Sequence, residues 1–242
     1  MCTVSFIPWK GKTFICSNRD EKTARIRARQ PLPYHGKTGT IVYPKDRQAA
    51  GTWIAVHENG NAVVLLNGAW TNHTRRKSYR QSRGLVLLAL IDSENPLQGF
   101  HETELEGIEP FTAIIFQDQE LFECKWHEPR KAVEQLDATV PHLWSSVTLY
   151  DEKVSAKRQA WFEAWLVGRR YFSLDEVLQF HQQGGDGDVN NDLLMNRPPE
   201  LRTVSITAME IMTVSGAIKY LDLLHNRSYL QQLRFTKSTV SP

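Results

Sequence analysis

The chain opens Met1-Cys2-Thr3-Val4-Ser5-Phe6-Ile7-Pro8-Trp9-Lys10-Gly11-Lys12-Thr13-Phe14-Ile15-Cys16-Ser17-Asn18-Arg19-Asp20-Glu21. Two β-rich runs, Cys2 to Ile7 and Thr13 to Asn18, flank the turn-forming cluster Pro8-Trp9-Lys10-Gly11, which predicts an antiparallel hairpin. A turn centred near Lys10 sets Cys2 opposite roughly Asn18. Side-chain alternation then puts Cys2, Val4 and Phe6 on one face with Phe14, Cys16 and Asn18. The polar run Asn18-Arg19-Asp20-Glu21 leaves the second strand beside Cys2.

The same pattern recurs along the chain. Gly51 to His57 and Ala62 to Leu66 flank Asn59-Gly60, a dipeptide that tolerates the positive φ of a tight hairpin turn. Phe111 to Phe116 and Leu121 to Trp126 flank Gln117-Asp118-Gln119, and Thr203 to Met212 and Ala217 to Leu221 flank Ser215-Gly216. Helices are expected over Tyr79 to Ile91, Leu97 to Leu105 and Lys153 to Val167, and another opens on the capping box Ser173-Leu174-Asp175-Glu176 and closes at Gly184-Gly185. Strands, helix pair, strands, helix pair, strands: this order predicts an α+β fold of mainly antiparallel sheets, a four-layer αββα sandwich. Arg25 to Ala50 and Gly184 to Glu200 read as long loops. No repeat or domain boundary breaks residues 1–242, so one domain is expected.

Composition narrows the function. The 242 residues are 41% hydrophobic and 23% charged, an ordinary globular balance, and the formal net charge of +2 lacks the basic footprint of a nucleic-acid binder. The three cysteines, Cys2, Cys16 and Cys124, have no C-x-x-C spacing and suit a reducing compartment. There is no signal-peptide pattern, and the longest apolar run, Leu85 to Ile91, falls far short of the ~20 residues of a membrane span. A soluble, cytoplasmic protein is expected. No pattern specifies an oligomeric state.

Cys2 follows the initiator Met, which an aminopeptidase removes when the next side chain is small. The freed α-amine titrates at about 7.7–8.0 and sits on the same residue as the thiol, so it can serve as that thiol's base. Asp20 can hold this amine, and Arg19 can lower the thiol pKa or bind a substrate carboxylate. Asn67 ends the strand Ala62 to Leu66 before Gly68, as an oxyanion donor would, although Asn-Gly is also a turn dipeptide. Arg202 opens the strand Thr203 to Met212; its plain reading is a solvated strand end. Cys16 and Cys124 fall within strand patterns and read as buried hydrophobes. No local signature ties His57, His73 or His142 to a cysteine. The run Asp186-Gly187-Asp188-Val189-Asn190 lacks the Gly and Glu of a calcium loop, with Asn191 and Arg197 in their places, so no metal site is expected.

Taken in order, Met1-Cys2, Asn18-Arg19-Asp20-Glu21, Gly51-Thr52-Trp53-Ile54, Leu65-Leu66-Asn67 and Ser82-Arg83-Gly84 resemble the NRDE family, also called the Transport and Golgi organisation 2 family. The match is dense over residues 1–92. The resemblance implies an N-terminal nucleophile hydrolase fold. Within that superfamily the bile-salt and penicillin V acylases use an N-terminal Cys, an Arg, an Asp, an oxyanion Asn and a later Arg. By similarity these correspond to Cys2, Arg19, Asp20, Asn67 and Arg202, with Asn18 a substrate-binding candidate. The acylases' second Asn has no counterpart; the comparable stretch reads Trp144-Ser145-Ser146-Val147.

The leading expectation is a hydrolase acting on a linear amide or related acyl substrate, with no cofactor. A second reading implied by the resemblance is a non-catalytic haem- or lipid-binding module in which Cys2 is a ligand. A glutaminase-type amidotransferase also begins Met-Cys, but its next residue is usually Gly, whereas Thr3 follows here.

Overall fold

The structure is a computed structural model that describes residues 3–236. Strands β1 (Thr3–Trp9) and β2 (Lys12–Lys22) form the expected hairpin. Lys10 and Gly11 make its two-residue turn at φ of 46° and 76°, positive φ at both positions as a tight hairpin with right-twisted strands requires. The turn therefore centres between Lys10 and Gly11, half a residue beyond the expected position. Thr3 pairs with Asn18, Val4 with Ser17 and Phe6 with Ile15.

That shift corrects the faces, because a one-residue slip turns every side chain over. Val4, Phe6 and Ile15 share the core between the sheets. Ile7, Phe14 and Cys16 lie on the opposite face, in a second core. Cys2, expected to face Phe14 and Cys16, lies outside the described residues.

The remaining elements are β3 (Arg29–His35), β4 (Thr40–Lys45), β5 (Ile54–His57), β6 (Ala62–Asn67), α1 (Arg83–Ile91), α2 (Pro96–Glu102), β7 (Phe111–Gln117), β8 (Glu120–His127), β9 (Arg130–Leu136), β10 (His142–Ser145), α3 (Glu152–Leu166), α4 (Leu174–Gln183), β11 (Asn196–Arg197), β12 (Leu201–Ile211), β13 (Ser215–Asp222) and β14 (Arg227–Arg234). One sheet runs β10-β1-β2-β12-β13-β14 with β11 added to β12, and the other runs β3-β4-β5-β6-β7-β8-β9. Every pairing in both sheets is antiparallel.

Three apolar clusters define the layers. Val4, Ile54, Val64, Ile114 and Met209 fill the space between the sheets. Leu87, Leu90 and Ile91 of α1 and Phe100 of α2 cover the outer face of the second sheet. Phe162 of α3 and Val177, Leu178 and Phe180 of α4 cover the first. The fold is thus an α+β sandwich with two antiparallel sheets between two helical layers.

Two local expectations change. Arg25 to Ala50, read as a loop, contains β3 and β4. Gly184 to Glu200, also read as a loop, contains β11 and buries Leu193 and Met195, with Leu193 in the core beneath α3 and α4. The expected N-cap of α4 forms, with the Glu176 N–H donating to Ser173 Oγ at 3.2 Å and the Ser173 hydroxyl donating to the Glu176 carboxylate at 3.0 Å. No helix among the described residues is long and apolar enough to cross a membrane.

Candidate functional site

Strand alternation divides the tetrad at the end of β2. Asn18 faces the α3/α4 layer, fully buried. Its Nδ2 donates to the carbonyls of His181 (3.2 Å) and Leu193 (2.6 Å). Its Oδ1 lies 2.7 Å from His181 Nδ1. Since Nδ2 supplies the donors, Oδ1 must accept, which places the ring proton of His181 on Nδ1 and leaves Nε2 to accept from Ser5 Oγ at 2.7 Å. Asn18, expected to contact substrate, is thus committed to holding α4 and the following loop.

Arg19 points the other way. Its guanidinium donates to Asp46 Oδ2 at 2.6 Å and stacks 4.5 Å from the Trp53 ring centroid. Arg25 donates to the same oxygen at 2.9 Å. Burial alone would raise the Asp46 carboxyl; the Arg25 hydrogen bond, the Ala49 N–H and the two positive charges hold it below the usual range. Trp53, which the sequence reading treated only as part of a motif, is the platform for Arg19.

Asp20 returns to the α3/α4 side. Tyr150 donates to Oδ2 at 2.7 Å, and Thr203 donates to Oδ1 at 2.5 Å. Glu21 continues outward to Arg25, 3.4 Å away.

Arg158 of α3 completes this layer and had no sequence signal. It is fully buried, it stacks 3.5 Å from the centroid of the Tyr150 ring, and it donates to Thr3 Oγ1 and to the carbonyls of Asn191 (3.0 Å) and Asp192 (2.6 Å). The strand holding Thr3 and the tyrosine holding Asp20 are therefore gripped by one side chain.

Asn67 ends β6 as expected, and it borders two cavities of about 720 Å³ and 530 Å³. Ser146 Oγ donates to its carbonyl at 2.8 Å. Its Oδ1 is buried without a hydrogen-bond partner among the described residues, as is Ser145 Oγ. Gly68 follows at φ 79°, and a Cβ there would sit 2.5 Å from Val147. The stretch Trp144-Ser145-Ser146-Val147 thus packs against Asn67 and lines the larger cavity.

Arg202 pairs in register with Glu21 and borders neither cavity. Burial pushes the Cys16 thiol well up and the Cys124 thiol to about 12, so neither is a ready nucleophile. Among the described residues, no histidine, methionine or cysteine lines either cavity, and no cluster of side chains could hold a metal ion.

The model of one family, Transport and Golgi organisation 2, matches residues 1–182. No curated protein sequence matches the chain. Among solved structures, the chain is similar to the Caenorhabditis elegans ortholog of N-acylethanolamine-hydrolyzing acid amidase, at 13% identity over 86% of this chain and 92% of that one, with a TM-score of 0.60. It is also similar to two variants of conjugated bile acid hydrolase from Clostridium perfringens, at 11% and 12% identity over 98% of both chains, with TM-scores of 0.53 and 0.50. At such identities the likeness is one of fold: the sandwich is that of the N-terminal nucleophile hydrolases.

Proposed function

The chain belongs to the Transport and Golgi organisation 2 family, and from that premise we propose that it is an N-terminal cysteine hydrolase acting on a linear amide or related acyl substrate once Met1 is removed. The observation that carries this reading is Asn67: a strand-end amide that borders two cavities, its backbone pinned by the Ser146 hydroxyl.

The proposed steps follow ordinary acyl-transfer chemistry. The α-amine of Cys2 takes the thiol proton, and the sulfur attacks the carbonyl carbon. The Asn67 amide N–H stabilises the oxygen that becomes negative. The proton passes to the leaving nitrogen as the C–N bond breaks, giving an amine and a thioester. Water, deprotonated by the same α-amine, then releases the acid and restores the thiol. Asp20, fixed by Tyr150 and Thr203, is proposed to hold the amine. Arg19, fixed by Asp46 and Trp53, contributes positive potential on the other side of β2. Arg202, in register with Glu21, is proposed at most as a remote contributor.

Intact mass and peptide mapping after a brief, limiting dose of iodoacetamide at neutral pH test the premise. Loss of Met1 with labelling of Cys2 ahead of Cys16 and Cys124 is expected. Cys2→Ala should abolish turnover of an amide substrate with the fold intact. A retained Met1 on natively expressed protein would remove the base and end the hydrolytic reading.

The rival reading is a non-catalytic haem- or lipid-binding module, favoured by serines at Ser145 and Ser146 where the acylases carry an Asn. On this reading Cys2 is the axial ligand, since neither of the two cavities bordered by Asn67 is lined by a His, Met or Cys among the described residues and Tyr150 already donates to Asp20. A Soret shift on haem titration that disappears in Cys2→Ala would establish that reading in place of hydrolysis.

A further inference from the structure

Three sequence-distant motifs meet on one concave surface. Arg19, Trp53, Ser82 and Arg83 all line the 530 Å³ cavity. Two glycines bring them together. A Cβ on Gly51 would lie 2.4 Å from the Gly84 backbone, and one on Gly84 would lie 2.6 Å from the Thr52 carbonyl. The start of α1 can therefore rest directly on the segment entering β5, with the Thr52 N–H donating to the Gly84 carbonyl at 3.3 Å.

The charge on this surface is one-sided. Arg19, Arg25, Arg75, Arg76, Lys77 and Arg83 border the cavity, against three carboxylates, Glu21, Asp46 and Glu109. Asp46 is shared by Arg19 and Arg25, and Glu109 by Arg83 at 3.1 Å and Arg75 at 3.7 Å. Arg76 is paired with Glu128 at 2.9 Å. Burial lowers the Arg83 pKa; Glu109 opposes this, while repulsion from Arg75 adds to it. Ser82 Oγ, at the cap of α1, is buried without a partner among the described residues. Beside it, the first N–H groups of α1 are those a helix leaves without intrahelical acceptors.

Across Asn67 the balance reverses. The 720 Å³ cavity is bordered by Lys125 against Glu123, Asp151 and Glu152, with Trp70 and Trp144 in its wall.

We propose that the 530 Å³ cavity is a binding site for a terminal anionic group, and that the substrate is a conjugate polarised end to end. Its carboxylate or phosphate lies among the arginines, and its uncharged, largely apolar portion lies across Asn67. The word substrate rests on the hydrolase reading; the anion site rests on the cavity alone. Walls that carry an excess of one sign of charge focus potential into such a recess, and planar guanidinium forks match a carboxylate.

The test is calorimetric titration of full-length Cys2→Ala protein, so that no turnover enters the measurement. The probes are N-acetylglycine, its neutral isostere N-acetylglycinamide, and inorganic phosphate. At least one anion should bind about tenfold more tightly than the neutral amide, and salt should weaken that binding. The tighter anion identifies the group. The double variant Arg75→Ala/Lys77→Ala, at exposed positions, should weaken anion binding about fivefold and leave the neutral probe unchanged. Equal affinity for charged and neutral probes, or anion affinity unmoved by the double variant, would overturn the proposal. Failure of Cys2 alkylation or turnover in the wild-type protein would sink the hydrolase reading and leave these titrations unaffected.

Discussion

Asn18, Arg19 and Asp20 are consecutive, yet the pleat of β2 gives them separate tasks. Asn18 makes three buried hydrogen bonds to α4 and its following loop. Asn18→Ala should therefore lower stability by about 2–4 kcal/mol, the cost of stranding buried polar partners, and leave KM unchanged for the protein that folds. A raised KM at unchanged denaturation midpoint would return Asn18 to the substrate. Arg19→Lys keeps a charge near Asp46 but loses the planar stack on Trp53, so kcat/KM should fall at least about tenfold. Under the hydrolase reading Asn67→Ala should lower kcat by about 10²–10³, the usual cost of one oxyanion donor, with little change in KM. Arg19, Asp20 and Asn67 could be singled out in the sequence as chemistry-bearing side chains at or just past the ends of apolar strand runs, and the family resemblance supplied the roles proposed for them. Their supports could not be singled out. Tyr150 lies 130 residues from the Asp20 it contacts, and Arg158 is 155 residues from Thr3; nothing local in a helix sequence announces such a partner.

Helices and hairpins followed from local signals where both faces of a strand, or one stripe of a helix, are apolar. The pairings β1/β2, β5/β6, β7/β8 and β12/β13 were all read from alternating runs and turn residues. The strands that were missed include β3, β9, β10 and β14, which are the four edges of the two sheets. Edge strands need not be apolar, and they tolerate proline: β3 reads Arg-Gln-Pro-Leu-Pro-Tyr-His and β14 reads Arg-Ser-Tyr-Leu-Gln-Gln-Leu-Arg. Strands with so few apolar residues carry too weak a period-2 signal to stand out from a loop. The approach of α1 to Gly51 and Thr52 was equally hidden, since a glycine's role in close packing depends on what lies opposite. It yields a direct prediction. Gly51→Ala places a methyl carbon against backbone rather than a yielding side chain, so the start of α1 must shift. Overpacking of this kind costs about 1–3 kcal/mol. Thermal unfolding should show that loss, and anion affinity in the 530 Å³ cavity should fall with it, whereas Gly187→Ala, strained by its φ of 94° but with nothing within 4 Å of a Cβ, should leave anion affinity unchanged whatever it costs in stability.

At the scale of the whole molecule, the two helical layers are attached differently. The layer of α1 and α2 packs on its sheet through an apolar cluster, Leu87, Leu90, Ile91 and Phe100 against Leu65 and Ile115. The layer of α3 and α4 adds a buried polar lattice to its apolar contacts: Arg158 to Thr3, and His181 to Ser5 and Asn18. That lattice makes the docking of the second layer sensitive to protons. Burial, with the charge of Arg158 adding to it, pushes the His181 pKa from its ordinary 6.5 to about 3. Between those two values the unfolded chain binds a proton that the folded chain refuses, so acidification favours unfolding. The penalty is absent above the unfolded pKa and grows toward about 1.4 kcal/mol per pH unit below it. From pH 7 to pH 5 the protein should lose about 2 kcal/mol from this group. The carboxylates of Asp46 and Asp222, held below their usual range, contribute stability that is present at pH 5 and lost only as pH falls further. The interval from pH 7 to pH 5 therefore isolates His181 from them. Urea unfolding at a series of pH values should show this slope in the wild-type protein and its loss in His181→Gln, which keeps a donor for Asn18 Oδ1 and cannot titrate. A wild-type curve that is flat over the interval, or a slope that survives the substitution, would mean that His181 is not the proton-sensitive tie between α4 and the sheet.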